Sequence, residues 1–339
     1  MPVKPVLPVR HTLSASISRR RALGLLGSAA MTLPFAALGS PFAVAKAPLL
    51  GRPNTSYYRF PLGKFEVTII RDGAASLAGP YPAFGADQFE EDVHELLAAN
   101  HLPLKRFELP YAPVVVNTGD ELVLFDSGNG STRRPDSGYF VDGLRAAGYM
   151  PDQIDVVVIT HCHPDHIGGL IESGTPVFPN ARYVCGEVEY DFWSPKELLD
   201  ADEGLARRAR SVQDNVVPLA PKMSFLKNEG EVLPGIRAIT SPGHTPGHLA
   251  YDVESEGKRL LIWGDAIVHY VISFQRPDWP LAADMDKEVA AQSRRKLLGM
   301  AAADKIAVTG YHLPFPALGF VETFEDAYRF VPASYQFNL

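Results

Sequence analysis

The sequence predicts an α/β fold, a four-layer αββα sandwich, and three observations carry that reading. Apolar strand-like runs alternate with helical periodicity along the body of the chain. Two halves of that body echo each other: Leu122-Val123-Leu124-Phe125-Asp126 is matched by Leu260-Leu261-Ile262-Trp263-Gly264-Asp265, and Ile159-Thr160-His161 by Ile239-Thr240 ahead of His244. In each half an apolar run delivers polar residues at its C-terminal end, so two facing halves would bring those ends to one crevice. With 339 residues, 46% of them hydrophobic, the chain has ample material for so large a core.

Residues 1–45 read as an export signal rather than as part of the fold. They contain Lys4, Arg10, Arg19, Arg20 and Arg21 and no acid. Ser18-Arg19-Arg20-Arg21-Ala22-Leu23 resembles the twin-arginine pattern, a mildly apolar stretch runs from Ala22 to Leu38, and Ala43-Val44-Ala45 fits a signal-peptidase site. Gly24, Gly27 and Pro34 break the stretch, which favours cleavage over an uncleaved membrane anchor. The expectation is a bacterial protein that engages the twin-arginine export machinery and ends in the periplasm or outside the cell. Residues 46–56 then read as a linker, and 57–339 as one folded domain.

Within that domain, Phe65 to Ile70 is strand-like and ends at the turn signal Asp72-Gly73. Val114 to Asp120 and Leu122 to Phe125 have the pattern of a hairpin. Asp136 to Ala147 reads as a helix, Asp155 to Thr160 as a fully buried strand, and Ala181 to Cys185 as another short strand. A long polar helix is expected from Pro195 to Asn215, with Arg207, Arg208 and Arg210 on a solvated face. Ile236 to Thr240, His248 to Val253 and Leu260 to Trp263 supply further strands. Val289, Ser293, Leu297 and Met300 recur at helical spacing, and the strand Lys305 to Thr309 follows. Cys162 and Cys185 are too few for a disulfide framework and read as ordinary thiols near strand ends, with a bridge between them left open.

Charge narrows the partners. The formal net charge is -7, and without the five basic residues of the first 45 positions the balance is 27 basic against 39 acidic residues, a net of -12. A body so acidic repels phosphate backbones, which excludes nucleic acid and leaves a small-molecule substrate.

The chemistry concentrates in Thr160-His161-Cys162-His163-Pro164-Asp165-His166-Ile167-Gly168-Gly169. A buried strand running into four ionisable groups is costly unless they bind something. Imidazole and carboxylate together suit zinc and its neighbours in the transition series. His161 and His163, two apart at a strand end, can reach one ion, and Asp165 and His166 a second. A water-exposed histidine-rich turn is the competing reading. Downstream, His244 sits directly after a strand in the Pro/Gly-rich turn Ser241 to His248, Gly264-Asp265 ends the next strand, and Gly310-Tyr311-His312 ends the last. Any one of these residues alone is commonly structural. Their shared position, just past a strand end, is what points to a common site.

The order His161-x-His163-x-Asp165-His166, His244, Asp265, His312 resembles the metallo-β-lactamase superfamily, over nearly all of residues 57–339. The resemblance implies the superfamily's αββα sandwich and a catalytic domain acting as a metal-dependent hydrolase. It implies two divalent metal ions, with zinc the expected identity: His161, His163 and His244 on one, Asp165, His166 and His312 on the other, and Asp265 bridging them. Asp126, in Phe125-Asp126-Ser127-Gly128, matches the family's acid that orients a ligand, although Ser127 replaces the commoner Thr. His248 matches a histidine with a supporting role. A hydroxide bridging the ions would attack a carbonyl carbon or a phosphorus, with Asp165 and Asp265 as the catalytic carboxylates that set the spacing and pass a proton to the leaving group. The resemblance also suggests a homodimer.

Among subfamilies the chain is most similar to methyl parathion hydrolase, through Gly63-Lys64-Phe65-Glu66-Val67-Thr68, Phe178-Pro179-Asn180-Ala181, Asp191-Phe192-Trp193, His312-Leu313-Pro314-Phe315-Pro316 and Tyr328-Arg329-Phe330-Val331-Pro332. Acyl-homoserine lactonases share the metal set but fewer of these strings. By this resemblance Trp193 forms one wall of the substrate pocket. The chain departs from the pattern at Asn129 to Arg134, which offers no aromatic before Tyr139, and at Leu205 and Ala206, where an aromatic is expected. The bond cleaved is therefore left open among an ester, a lactone and a phosphotriester. Arg133 and Arg134 read as surface residues, with contact to an anionic substrate the alternative, and His269, Phe274 and Trp279 read either as a lid or as packing. Two rival functions stand beside hydrolysis of these bonds: a glyoxalase II-like thioester hydrolase, which usually adds a basic C-terminal region, and a non-hydrolytic metal-binding member, which tends to lose ligands.

Overall fold

Two seven-stranded sheets form the centre of the structure, a computed structural model that describes residues 57–333. The expected export signal at 1–45 and linker at 46–56 lie outside the described residues. In the first sheet the strands lie side by side in chain order: Tyr57–Leu62, Phe65–Ile70, Val114–Asn117, Leu122–Phe125, Val156–Val158, Arg182–Gly186 and Met223–Leu226. The second sheet also follows chain order: Glu231–Leu233, Ile236–Thr240, Leu249–Ser255, Lys258–Ile262, Ala307–Thr309, Leu318–Phe324 and Ala327–Pro332.

The echo between the halves has a topological meaning. Each sheet begins with antiparallel hairpins and then makes a parallel pair, Leu122–Phe125 with Val156–Val158 in the first and Lys258–Ile262 with Ala307–Thr309 in the second. A parallel pair needs a crossover, and helices Phe140–Ala146 and Lys287–Asp304 provide it. Both strands of each parallel pair therefore end on the same side. Asp126 and Thr160 leave the first pair there, and Asp265 and His312 leave the second. Carboxyl ends at such a switch in strand direction are where open α/β sheets place ligands.

Burial follows the alternation of the strands. Val67, Ile69, Val114, Val116, Val123, Phe125, Val156 and Val158 of the first sheet share one core with Ala238, Tyr251, Val253, Leu261 and Trp263 of the second. The other face of the first sheet, including Ile70, Val115, Leu124, Val157 and Tyr183, packs with Phe140 and Leu144 and with Ala209 and Val212 of helix Glu203–Asn215. A sheet buried on both faces explains why these strands read as continuous apolar runs. Helix Lys287–Asp304 contributes Leu297, Leu298 and Ala301 beside the second sheet, which completes the α/β/β/α layering. Among the described residues, no helix is long and apolar enough to cross a membrane.

Three expected elements differ in detail. The helix expected from Asp136 begins only at Phe140, because Gly138 adopts a φ of +89° and the Asp72 carboxylate takes the Phe140 N–H at 2.7 Å. The helix expected from Pro195 to Asn215 is two elements, a 3-10 segment Lys196–Asp200 and the α-helix Glu203–Asn215. Asp202 separates them by accepting from Gly204 N and Leu205 N, a cap that starts a new helix. The strand expected from Lys305 starts at Ala307, since Lys305 lies at a φ of +53° and ends the preceding helix, and two strands not expected from the sequence, Leu318–Phe324 and Ala327–Pro332, follow it. Cys162 and Cys185 are both buried and both free.

Residues 73–111 hold elements for which no expectation is given above. The hairpin Gly73–Ala78 with Arg106–Tyr111 and the helix Glu90–Ala99 form there. Val93, Leu96 and Leu97, at helical spacing, pack with Phe84, Val268, Val271, Ile272 and Leu281 in a third apolar cluster beside the strand ends.

Candidate metal centre

The run Val156–Val158 is followed by Ile159-Thr160 and a turn in which Pro164 occupies the first position of a short helix, Pro164–Ile167. His161 and His163 thus leave the strand end in extended chain, while Asp165 and His166 sit on the first helical turn. The opposite sheet supplies His244 from the turn before Leu249, Asp265 from the end of Lys258–Ile262, and His312 from the end of Ala307–Thr309.

The fold gathers all seven. Ligand-type atoms of His161, His163, His244 and Asp265 lie within 4.8 Å of one another, and so do those of Asp165, His166, Asp265 and His312. Asp265 belongs to both groups. Its Oδ2 is 3.3 Å from His244 Nε2, 3.8 Å from His161 Nε2 and 3.1 Å from His312 Nε2, and its Oδ1 is 3.2 Å from His166 Nε2. Asp165 Oδ2 lies 3.4 Å from His312 Nε2, and His244 Nε2 lies 2.9 Å from His163 Nδ1.

These donors fit divalent cations on a direct observation. The Nε2 atoms of His161 and His166 and Oδ1 of Asp265 are buried and have no hydrogen-bond partner among the described residues. Leaving such groups unsatisfied costs about 1–3 kcal/mol each, and a set of convergent nitrogens and carboxylates is what zinc-type ions require. Burial holds the pKa values of His161 and His163 well below the ordinary value, towards the neutral form that ligation needs. Burial opposes charge on His166 and Asp265 as well. Carboxylates around His166 and imidazoles around Asp265 outweigh it, raising the one and lowering the other.

Outer partners fix each ring. His166 Nδ1 meets Asp126 Oδ2 at 2.8 Å, and Asp126 also accepts from Thr160 N and Thr160 Oγ1. His244 Nδ1 meets Asp284 Oδ1 at 2.9 Å, and Asp284 in turn accepts from Arg294. His312 Nδ1 donates to the Pro110 carbonyl at 2.8 Å. In each case the outer partner holds a proton on Nδ1, which leaves Nε2 as the atom turned to the centre. His248 works in the opposite sense: its Nε2 accepts from Asp265 N at 3.0 Å, and its Nδ1 donates to Ser241 Oγ at 2.8 Å. That matches the supporting position expected for it.

Several contributors were invisible in the sequence. Glu189 is fully buried; Oε1 accepts from Cys162 N and Trp193 Nε1, and Oε2 from Thr245 Oγ1 and Gly247 N. It ties the His161–His163 turn to the His244 turn across the two sheets. Tyr311 stacks on His166 with centroids 3.8 Å apart and donates its hydroxyl to the Asp165 carbonyl at 2.7 Å. Only adjacency to His312 could have drawn attention to it.

An apolar cavity of about 490 Å³ lies beside the centre, with His312, Phe84, Leu97, Phe107, Val268 and His269 on its walls. Trp193, expected on the pocket wall, is fully buried behind His163, with ring centroids 6.2 Å apart, and does not line this cavity. Its indole N–H is committed to Glu189, which draws the ring into the core. Of the three residues read as lid or packing, Phe274 is core, against Trp263 and Phe330, Trp279 is half-buried, and His269 faces the cavity. Arg133 and Arg134 are exposed, the latter paired with Asp142 at 2.9 Å. Arg208, expected on a solvated face, is half-buried, and its charge is felt by His163 and Asp165.

Residues 108–308 match the family described as the Metallo-beta-lactamase superfamily. The chain is 29% identical over 187 residues to the probable metallo-hydrolase YflN of Bacillus subtilis (strain 168), covering 50% of this chain and 68% of that protein. It is 27% identical over 158 residues to the N-acyl homoserine lactonase of Bacillus thuringiensis, covering 46% of this chain but only 55% of the lactonase. The match therefore spans about half the lactonase's length. Among solved structures, AidC, described as a dizinc quorum-quenching lactonase in complex with a product, aligns with a TM-score of 0.74 at 27% identity over 83% of this chain and 98% of that one. The hydrolase AbOPH, of the beta lactamase superfamily, aligns with a TM-score of 0.75 at 27% identity over the same shares, 83% and 98%.

Proposed function

The chain belongs to the metallo-beta-lactamase superfamily, and from that premise we propose that it is a dinuclear metal-dependent hydrolase of ester-type bonds, with a lactone or ester carrying an apolar chain as its substrate. The observation that carries this reading is the position of Asp265, whose carboxylate is shared by two clusters of three further donors each, all buried except Asp165.

Two divalent cations, of which zinc is the expected identity, would supply Lewis acidity and an activated water at these clusters. The rest is the work of the chain. His161, His163 and His244 would hold one ion, Asp165, His166 and His312 the other, and Asp265 both. Asp126, Asp284 and the Pro110 carbonyl hold the Nδ1 protons of His166, His244 and His312, so the ring orientations are set before any ion is bound. Asp165 is the most exposed of the seven, with 24% of its side chain accessible, and this leaves it able to exchange a proton with a leaving group. The cavity beside His312 would take up an apolar chain and keep bulk water from the reacting end.

Support for a lactone comes from the names of the relatives, which act for those proteins and are carried here as a proposal. A thioester is the second reading, because the same donors serve it. The deciding experiment is a parallel assay of an N-acyl lactone, an aryl ester, a phosphotriester and a glutathione thioester on metal-loaded protein. Turnover of the lactone or ester above the others is expected. Turnover of the phosphotriester alone, or of the thioester alone, would overturn the choice of substrate, and turnover of none would overturn hydrolysis.

A further inference from the structure

We infer that His269 is a substrate-binding residue whose Nε2–H donates to a second, non-reacting carbonyl oxygen of a neutral acyl substrate lying in the apolar cavity. This rests on the hydrolase reading above and extends it from the metal end of the cavity to its wall.

The tautomer follows from the loop. His269 Nδ1 accepts from Val271 N at 3.1 Å and from Ile272 N at 3.2 Å, while the backbone N–H of His269 donates to Ser273 Oγ at 3.0 Å. A ring nitrogen that accepts two N–H groups carries no proton, so the neutral imidazole must carry its proton on Nε2. Burial lowers the pKa of His269 to about 4, which keeps it neutral through the physiological range. The ring plane is held on both sides, stacked on Tyr270 at 5.3 Å with 5° between planes and edge-on to Phe84 at 5.3 Å.

His269 is 8% exposed and lines the cavity that also contains the ligand-type residue His312. Nδ1 is thus the ring nitrogen that the loop takes up, and the cavity that the ring faces is lined by Phe84, Leu97, Phe107 and Val268, with Arg71, Arg106 and Glu108 also on its lining. A donor on a largely apolar wall finds few acceptors besides water, so a ligand that brings one and displaces that water gains by pairing with it. His269 belongs to neither cluster of metal-type donors, and it is accordingly assigned to a carbonyl other than the one held at the centre, a separation that the two substrates below test. A neutral imidazole donor suits a neutral acceptor, an amide or ester carbonyl. The substrate class is then an acyl compound with two carbonyls, one scissile and one set back along the chain.

Two variants separate binding from folding. In His269→Asn the shorter side chain can still accept from Val271 N and Ile272 N, as Asn commonly does at such turns, but it removes the Nε2 donor. In His269→Phe the ring volume stays and both nitrogens are lost. Kinetics would be measured on an N-acyl lactone, which has a second carbonyl, and on a simple alkyl ester of equal chain length, which has none. The expected result is a KM raised about tenfold or more for the N-acyl lactone in both variants, with kcat within threefold and less than a twofold change for the simple ester. A KM for the N-acyl lactone that stays within twofold of wild type in His269→Asn overturns the inference, because a purely turn-capping role would give that outcome. An equal rise on both substrates overturns it too. If the wild type turns over neither substrate, the hydrolase reading falls first and this one with it.

Discussion

Asp126 Oδ2 stands 2.8 Å from His166 Nδ1, and the same carboxylate takes both the backbone N–H and the hydroxyl of Thr160, the residue before His161. One buried acid therefore orients a ring of one cluster and anchors the chain entering the other. Asp126→Asn keeps the volume but places an amide against donors. The expected outcome is about a 10–100-fold loss of metal affinity or activity with the fold retained. Elemental analysis after dialysis, alongside circular dichroism, checks it; unchanged metal content would remove Asp126 from this role.

His163 and Asp265 test the clusters themselves. His163→Ala is expected to empty one of them, and Asp265→Ala to weaken both, with hydrolysis abolished in each. Chelation of the wild-type protein is expected to lower its melting temperature, because ions that bind only the folded chain stabilise it by mass action. Retained turnover of an aryl ester by either variant would refute the assignment.

Glu189 receives four hydrogen bonds in a fully buried site, two of them from the His244 turn. Glu189→Ala strands those donors. A loss of about 2–4 kcal/mol is expected, read as a lower urea midpoint with an unchanged m value. A variant within about 0.5 kcal/mol of wild type would show that the two turns hold their places without it.

His269 makes stability depend on pH with a definite sign. Its folded pKa is about 4, set by burial, against about 6.5 for an unfolded histidine. Below 6.5 the unfolded chain takes up a proton that the folded chain refuses, so stability falls as the pH drops from about 6.5 towards 4 and is fully present above 6.5. The full effect is on the order of 3 kcal/mol. His269→Asn lacks it, so the stability gap between wild type and variant is expected to shift in the variant's favour between pH 7.5 and pH 5. Urea titrations at the two values measure this, and a constant gap would contradict it.

For residues 1–45 we propose export by the twin-arginine route, with cleavage after Ala45. The mature N-terminus recovered from a periplasmic or secreted fraction is expected to begin at Lys46, and double substitution of Arg19 and Arg20 by Lys is expected to retain the protein in the cytoplasm. Full-length protein in that fraction would argue for an uncleaved segment instead.

The amino-acid order alone determined the alternation of strands and helices, the paired halves and the seven ligand-type residues. Those signals are local or periodic: an apolar run, a glycine or proline beside it, a histidine just past its end. The helix Glu90–Ala99 was equally legible in Val93, Leu96 and Leu97 and was passed over. Tertiary structure decided the rest. Glu189 meets Thr245 and Gly247, Asp284 meets His244, and His312 meets Pro110, each pair far apart in the chain and joined only by the fold. Trp193 is fully buried with its N–H on a buried carboxylate, and His269 acquired a fixed proton because two backbone N–H groups claimed its other nitrogen. Hydrogen bonds between distant segments cost entropy that only the packed core repays, so no stretch of sequence taken singly contains them.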